Sequence, residues 1–501
     1  VVFILALALP APAFTAPLPP PNLGLLQTVE LLLAHDPNIA LEQARLESSR
    51  GALLAEAGKF DSVLSSRLND AETRTPLGVG SSSRRDTLAS SLGVVRQLRT
   101  GLTVEPQLGV VRTDDPGGSG VNVGTLSFSF RQPLLRGRGR SVVAAAEMSA
   151  ERELAASALD VEQTTAERIL AVVSQYWATK AALLNLEILR QSEESSRALL
   201  ETTRKLIEAD QIPAAELVQL QANLAAKESV RIGGERALFA ARQDLGREIG
   251  LSAGEIAGLP LPSDPFPAVP PADLPALGEA GRLVDTALRR RADLRAAHER
   301  RQGIEILLHA ANDALKPQLD LVFLPSYAGL VEGGGAGGYF SSLGRNVPGA
   351  SASVTFNLSL PAANSAARGA LLQAQAARRQ SELGVDLISK AIGADVPTAL
   401  DDVGSSALQL DRAREAVRLF EQAVINEEKK LRAGTSTLID LISQRDRLTA
   451  ARQGEVSAQL SLALALARLR FETGTLWSTD GEAQALAPDR LTTVPRPEGS
   501  P

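Results

Sequence analysis

Apolar positions along the chain change period several times, and each change predicts a new element. From 23 to 60 they recur every three or four residues, with Leu25, Val29, Leu32 and Leu33 on one side, which predicts a helix. Residues 61–132 become rich in Ser, Thr and Gly and alternate as strands do; Leu126, Phe128 and Phe130 interleave with Thr125, Ser127 and Ser129. A proline-free helical stretch follows over 141–209, then a turn at Pro213 and a second helix over 213–250. Pro260, Pro262, Pro265, Pro267, Pro270, Pro271 and Pro275 mark 251–278 as a linker. Helix returns over 279–316, strand and glycine loop over 318–360, a long helix over 363–432 and a last helix over 437–476. The tail, 478–501, reads as irregular.

The order helix, strands, long helix, helix therefore occurs twice, and residue matches support a duplication. Asp36-Pro37-Asn38-Ile39 aligns with Arg291-Ala292-Asp293-Leu294, and Phe128 and Pro133 align with Phe356 and Pro361. Ala209-Asp210-Gln211-Ile212 and Glu216-Leu217 align with Ala433-Gly434-Thr435-Ser436 and Asp440-Leu441, and Gly250 with Gly474. The predicted domains are a first repeat over 17–250, the linker, and a second repeat over 279–477. The fold class is mainly α, with a strand portion in each repeat.

The strand portions carry a chemical clue. Ala352, Val354, Phe356, Leu358 and Leu360 point one way, while Ser351, Ser353, Thr355, Asn357 and Ser359 point the other; Leu319, Leu321 and Phe323 repeat the pattern. A half-buried soluble sheet also alternates. The runs reach about ten residues, however, enough to cross a membrane at a tilt. Their polar face is Ser, Thr and Asn, which suits a hydrated lumen better than an open surface. Only helices and closed barrels span a bilayer, so a strand set too small to close alone must be shared among chains.

The helices are long. At about 1.5 Å per residue, 141–209 extends roughly 100 Å, and the flanking helices are each about half that length. Leu410, Ala413, Val417, Phe420, Val424, Glu427 and Leu431 form a heptad seam, which predicts coiling against neighbours. The first residues, Val1 to Leu9 with Ala13-Phe14-Thr15-Ala16, read as the apolar core and cleavage end of an export signal over 1–16. Its charged leading segment would lie upstream of Val1.

Composition narrows the chemistry. The 501 residues carry 52 Lys and Arg against 58 Asp and Glu, a net charge of −6 that argues against nucleic-acid binding. Absence of Cys excludes disulfides, thiol nucleophiles, cysteine metal sites and a lipidated N-terminal cysteine. No catalytic or metal constellation stands out, so neither an enzyme nor a cofactor is expected. Gly333, Gly335 and Gly338 satisfy a dinucleotide-type spacing, but no helix start or ribose-binding acid follows, which predicts a loop between strands. His298 and His309 are about 16 Å apart along one helix, too far to share an ion. Arg131, Arg136, Arg138 and Arg140 at a strand exit suit either lipid phosphates or a solvated loop.

Four motifs stand out along the chain: His35-Asp36-Pro37-Asn38, Arg131-Gln132-Pro133-Leu134-Leu135-Arg136-Gly137, Arg290-Arg291-Ala292-Asp293-Leu294 and Ala433-Gly434-Thr435-Ser436-Thr437-Leu438-Ile439-Asp440-Leu441. Taken together with the duplicated layout, they resemble the TolC-like outer-membrane efflux and secretion channels. Ala292 stands where the family has proline. The resemblance implies a homotrimer with an outer-membrane β-barrel shared among chains and a long periplasmic α-barrel. It also implies a periplasmic adaptor and an inner-membrane transporter as partners. The helix turns at 209–213 and 433–437 would form the periplasmic, adaptor-binding tip, with Ala209, Asp210, Ile212, Pro213, Ala433, Gly434, Thr435 and Ser436 at its surface. Asp440, with Glu216 as its counterpart, would form carboxylate rings at a gate; the plainer alternative is a favoured acid in a helix's first turn. Ser443 stands where some members carry a second acid, and Leu431 and Ser436 where some lock the tip with Tyr and Arg. The additional strand-like runs near 88–98 and 102–112 fit either an extracellular hairpin or two more barrel strands, for 12 or 18 in a trimer. The expected function is a passive export channel; the alternative is a periplasmic adaptor or coiled-coil scaffold.

Overall fold

The computed structural model describes residues 22–115, 118–208, 216–268, 280–477 and 492–495. The expected export signal and first tip residues 209–213 lie outside these. The chain forms two compact units. One comprises Val1–Glu42, Val161–Ala292 and Ser389–Pro501; the other comprises Gln43–Asp160 and Asp293–Ile388.

The second unit holds one antiparallel sheet of six strands. They are β1 (Val63–Gly78), β2 (Ser81–Gln97), β3 (Thr103–Asp114), β4 (Val121–Pro133), β5 (Gln318–Glu332) and β6 (Asn346–Ser359), and spatial order equals sequence order. The runs near 88–98 and 102–112 are thus β2 and β3, full members of the sheet. Pairing of β4 with β5, as at Leu126–Tyr327 and Phe130–Phe323, joins strands from the two halves of the chain.

Between β5 and β6 the structure departs from the expected loop. Gly334, at φ 82°, caps a short helix, Gly335–Ser341. It packs on the sheet: the buried Tyr339 hydroxyl lies 3.1 Å from the Val110 carbonyl and 2.5 Å from Ser90 Oγ. Close approach requires glycine beneath it. A Cβ at Gly124 would come within 2.8 Å of the Leu343 nitrogen, and one at Gly329 within 2.0 Å of the Ser342 carbonyl oxygen. Glycine is a poor helix former, so sequence periodicity gave no hint of a helix that tertiary contact holds.

Helices make up most of the remaining described residues, in chain order α1 (Leu25–His35), α2 (Pro37–Gly58), α3 (Arg140–Val143), α4 (Ala145–Glu208), α5 (Glu216–Ile249), α6 (Ala253–Gly258), α7 (Ala280–Arg290) and α8 (Ala292–Asp313). The helix already described between β5 and β6 is α9. The last two are α10 (Ser365–Arg432) and α11 (Leu438–Glu472). The single helices expected over 23–60 and 279–316 are each broken, at Asp36 and at Arg291. Pro37 lacks an N–H and so starts a helix well. Asp36 caps that start, accepting from the Asn38 and Ile39 amides at 2.6 and 3.1 Å.

Both breaks pack against a matching glycine. Gly250 ends α5 at φ 90° and Gly474 ends α11 at φ 66°. In each case the following amide reaches back to close a Schellman turn, Leu251 to Gly246 at 2.9 Å and Thr475 to Arg470 at 2.8 Å. A Cβ on Gly250 would meet the His35 carbonyl oxygen at 2.7 Å; one on Gly474 would meet the Arg291 nitrogen at 3.1 Å. The duplication seen in the sequence is therefore repeated in the local packing.

The core of the first unit gathers Leu25, Val29 and Leu32 of α1, Ile169, Val172, Val173, Tyr176 and Trp177 of α4, and Leu245 and Ile249 of α5. The proline-rich stretch contributes to it: Phe266 stacks on Trp177 with ring centroids 5.2 Å apart. Asp264 accepts the Leu25 amide at 2.6 Å. Helix α10 continues through Pro397, which removes one backbone hydrogen bond. Burial of Val396, Ala399, Leu400 and Val403 beside it holds the segment helical.

Candidate functional site: a two-faced sheet and a capped helix turn

The register gives the sheet two chemically distinct faces. One row across all six strands reads Ser65, Gly93, Gln107, Ser127, Ser326 and Ser351. The adjacent row, one residue on, reads Ser66, Leu92, Leu108, Leu126, Tyr327 and Ala350. Side chains of adjacent residues point to opposite faces, so the first row is polar and the second belongs to an apolar face. That face continues in Phe130, Phe323 and Val354, which lie opposite one another, with the two Phe rings 6.2 Å apart. Toward the helix-joining ends its side chains are open in the single chain, with Phe356 63% and Leu358 69% exposed, while α9 covers the same face at Ser90, Val110, Gly124 and Gly329. Exposed apolar surface on this scale marks contact with something other than water. Among the described residues the two outer strands, β1 and β6, each have one edge without a partner strand.

The second predicted site is the turn from α10 to α11. Gly434, at φ 74°, follows α10 in the left-handed region. The Thr435 amide donates to the Lys430 carbonyl and the Gly434 amide to the Leu431 carbonyl, both at 3.0 Å, completing a Schellman turn. Thr437 then caps α11. Its hydroxyl accepts the Asp440 amide at 3.2 Å, and Asp440 Oδ2 accepts the Thr437 amide at 3.2 Å and hydroxyl at 2.7 Å. Ser436 donates to Glu427, which also pairs with Lys430 at 3.1 Å. The turn is thus pinned at both ends.

These bonds shift the acids. The Thr437 hydroxyl and then its amide hold the Asp440 carboxyl below its ordinary value. Ser436 and then Lys430 do the same for Glu427. Asp440 is exposed, so it faces solvent while closing its cap. Glu216 begins α5 as an acid in its first turn. Among the described residues no hydrogen bond or ion pair joins it to Asp440. Ala209, Asp210, Ile212 and Pro213 lie outside the described residues; Ala433, Gly434, Thr435 and Ser436 form the described turn.

Sequence reasoning missed the polar groups that tie the helical hairpins together. Lys227 on α5 pairs with Asp446 on α11 at 2.6 Å, and Arg445 on α11 donates to Ser195 Oγ on α4 at 3.0 Å. Arg445 also reaches Glu428 on α10 at 2.6 Å. A second cluster sits at the helix breaks. Arg168 on α4 bridges Asp36 at 2.7 Å and Glu248 at 3.0 Å. In the second repeat the aspartate's counterpart is Arg291, which pairs directly with Glu472, the counterpart of Glu248, at 2.6 Å. Two acids need an intermediary cation; an opposite pair does not. The matching of Asp36 with Arg291 was the available signal.

No protein-family model matches the chain, and no curated protein sequence does. Solved structures do resemble it. The CmeC outer membrane channel of Campylobacter jejuni is 14% identical, with a TM-score of 0.68 over 91% of this chain and 87% of that one. The outer membrane protein VceC of Vibrio cholerae is 16% identical, TM-score 0.65, over 90% and 96%. The open state of the Neisseria gonorrhoeae MtrE outer membrane channel is 17% identical, TM-score 0.63, over 90% and 88%. The chain has the fold of these outer-membrane channels: long helices with a strand portion, in one duplicated chain.

Proposed function

We propose that the protein is a passive channel through the outer membrane, serving a tripartite efflux or type I secretion system. The observation that carries this reading is the sheet with a lipid-compatible face, a Ser- and Gln-bearing face and two unpaired edges. In water such a sheet exposes Phe356 and Leu358 at a cost of roughly 25 cal/mol per Å² of apolar surface. In a bilayer the same face is solvated by lipid, while the polar face lines a hydrated lumen. The unpaired edges need further strands, because a membrane offers no water to an open edge. Three copies supply them, in line with the resemblance noted from the sequence motifs. Exposed Leu372, Leu383, Leu387 and Leu408 on α10 and Phe239 on α5 give the helices further apolar surface for neighbours. An adaptor or scaffold has no use for a lipid-facing sheet.

The helix turns face the periplasm in this reading, where an adaptor docks and hands over substrate from an inner-membrane transporter. Asp440 has two roles there, capping α11 and presenting a carboxylate. In a trimer it contributes a ring of three charges that favours cations. The chain conducts and catalyses nothing, so energy enters through its partners.

Reconstitution into planar bilayers tests the proposal. The trimer extracted in detergent is expected to conduct, and Asp440→Asn to lower cation selectivity while a side-chain oxygen keeps the cap. Asp440→Ala is expected to lose both selectivity and the cap. A protein that stays monomeric in detergent-free buffer and never conducts would refute the channel. Unchanged selectivity in Asp440→Asn would leave Asp440 as a helix cap alone.

A further inference from the structure

The lower edge of the sheet is a staircase. The polar row at Ser65, Gly93, Gln107, Ser127, Ser326 and Ser351 serves as a level. From that level to the strand ends that join the helices or the β2–β3 turn, the count is 2 residues on β1 (to Val63), 4 on β2 and β3 (Gln97, Thr103), 6 on β4 (Pro133) and 8 on β5 and β6 (Gln318, Ser359). Across six strands the edge therefore descends by 8 − 2 = 6 residues. That is about 20 Å along the strands against about 24 Å across the five gaps between them, a tilt of about 40°. Membrane barrels tilt their strands by about 35–45°. The sheet is cut to the slant of a barrel wall.

The free edges fit one another. Strand direction alternates through the sheet, so with an even number of strands β1 of one copy runs antiparallel to β6 of the next. Their lengths differ by only two residues, at 16 and 14. A level step from β6 to the incoming β1, like those between β2 and β3 and between β5 and β6, sets their lower ends opposite one another and brings the closed wall to 6 residues per six gaps, a tilt of about 35°. Leu64 and Leu68 at the lower end of β1 share their parity with Val354, Phe356 and Leu358 of β6, so this register continues both faces there, while Asp70, Glu72 and Arg74 make the upper part of the same β1 row charged; a slip by one residue would bring the lower apolar side chains into the lumen.

We propose that three copies close an eighteen-stranded barrel, with β1 of each copy paired to β6 of its neighbour so that Val63 lies opposite Ser359. Leu64 then faces Leu358 and Leu68 faces Val354 on the lipid side; Ser65 faces Asn357 and Arg67 faces Thr355 on the lumen side. The number of copies rests on the trimeric channel reading above, whereas strand count per copy and register come from the sheet itself. Eighteen strands at this tilt give a barrel about 34 Å across between opposite strands, against about 22 Å for twelve. The two strands that each copy has beyond four set the larger width.

The Cys-free chain makes the register testable by engineered disulfides. Directly opposed residues have Cβ atoms about 4.5–5.5 Å apart and diagonal ones about 7–8 Å, so only direct opposition favours bonding. With mild oxidant, Ser65→Cys combined with Asn357→Cys is expected to give a covalently closed trimer on a denaturing gel, reversed by reductant. Ser65→Cys with Thr355→Cys, or with Ser359→Cys, reports a two-residue slip and is expected to stay monomeric on that gel. Bonding through either slipped pair overturns the register. No bonding in any pair, in protein that still runs as a native trimer and conducts, overturns closure through these edges. Imaging the unmodified trimer in cross-section is expected to count eighteen strands, and twelve would overturn the barrel whatever the variants do. Protein that forms no trimer and does not conduct refutes the channel reading itself, and the barrel with it.

Discussion

Replacing Arg168 by Ala is expected to destabilise the helical unit severely, because one side chain there compensates two acids. Asp36 has a side chain only 1% exposed and Arg168 one only 22% exposed. Asp36 takes three donors: the Asn38 and Ile39 amides and Arg168 Nε at 2.7 Å. Arg168 also donates to the Glu248 carbonyl at 3.1 Å and pairs with its carboxylate at 3.0 Å. Burial opposes the guanidinium's charge, but Asp36 and then Glu248 overcome it and hold the arginine above its ordinary value. Breaking a buried pair costs about 3–5 kcal/mol, most of it from the charge left behind. The two amides keep solvating Asp36, so the lower end, about 3 kcal/mol, is the better figure. That corresponds to roughly a 150-fold change in the folding equilibrium. Arg168→Lys restores charge but not the fork, and is expected to recover about half. Denaturant unfolding in detergent, followed by helical circular dichroism, measures the difference. Combining Arg168→Ala with Asp36→Asn, which keeps an oxygen for the cap, closes a double-mutant cycle. A coupling of about 2 kcal/mol is expected. A loss under about 0.5 kcal/mol, or additive single effects, would refute the view of Arg168 as the cation shared by two acids.

Gly474→Ala is expected to cost about 1–3 kcal/mol, since φ is 66° and the new Cβ would press on the Arg290–Arg291 backbone; an unchanged melting temperature would argue against that packing. Phe356→Arg puts a cation on the lipid side and is expected to cost about 2–4 kcal/mol near the membrane midplane, whereas Asn357→Arg on the lumen side should fold and shift ion selectivity. Equal assembly yields for the two variants would contradict the assigned faces. The α10–α11 turn has a calculable pH dependence. Asp440 and Glu427 are both held below their ordinary values of 3.8 and 4.5, so their contribution is complete above pH 4.5 and is lost as pH falls through the depressed values. A spin label at Thr435→Cys is expected to keep its mobility from pH 7 to pH 5 and to loosen only as the pH falls below 3.8. Loosening already at pH 6 would exclude these two acids as the cause.

Much of the molecule was legible in the sequence because its physics is periodic. Alternation at 350–360 separates a face that wants lipid from one that wants water, and no fold of the chain can reverse that assignment without moving the strand by one residue. Duplication was legible because Gly250 and Gly474 sit where the chain must turn left-handed, a demand few residues other than glycine meet. The acids Asp440 and Glu216 were legible only as positions; that Asp440 accepts the Thr437 amide and hydroxyl required the backbone of the turn. Helix α9 escaped because its Gly- and Ala-rich segment has no period, and Tyr339 becomes an anchor only once Val110 and Ser90 are brought beneath it. The Arg168 bridge escaped for a related reason: Asp36, Arg168 and Glu248 are each ordinary helix residues, far apart in sequence. Side-chain chemistry and period are local and can be read from the order of residues. Registers, clasps and the slant of the sheet arise from which distant segments meet, and tertiary packing alone decides that.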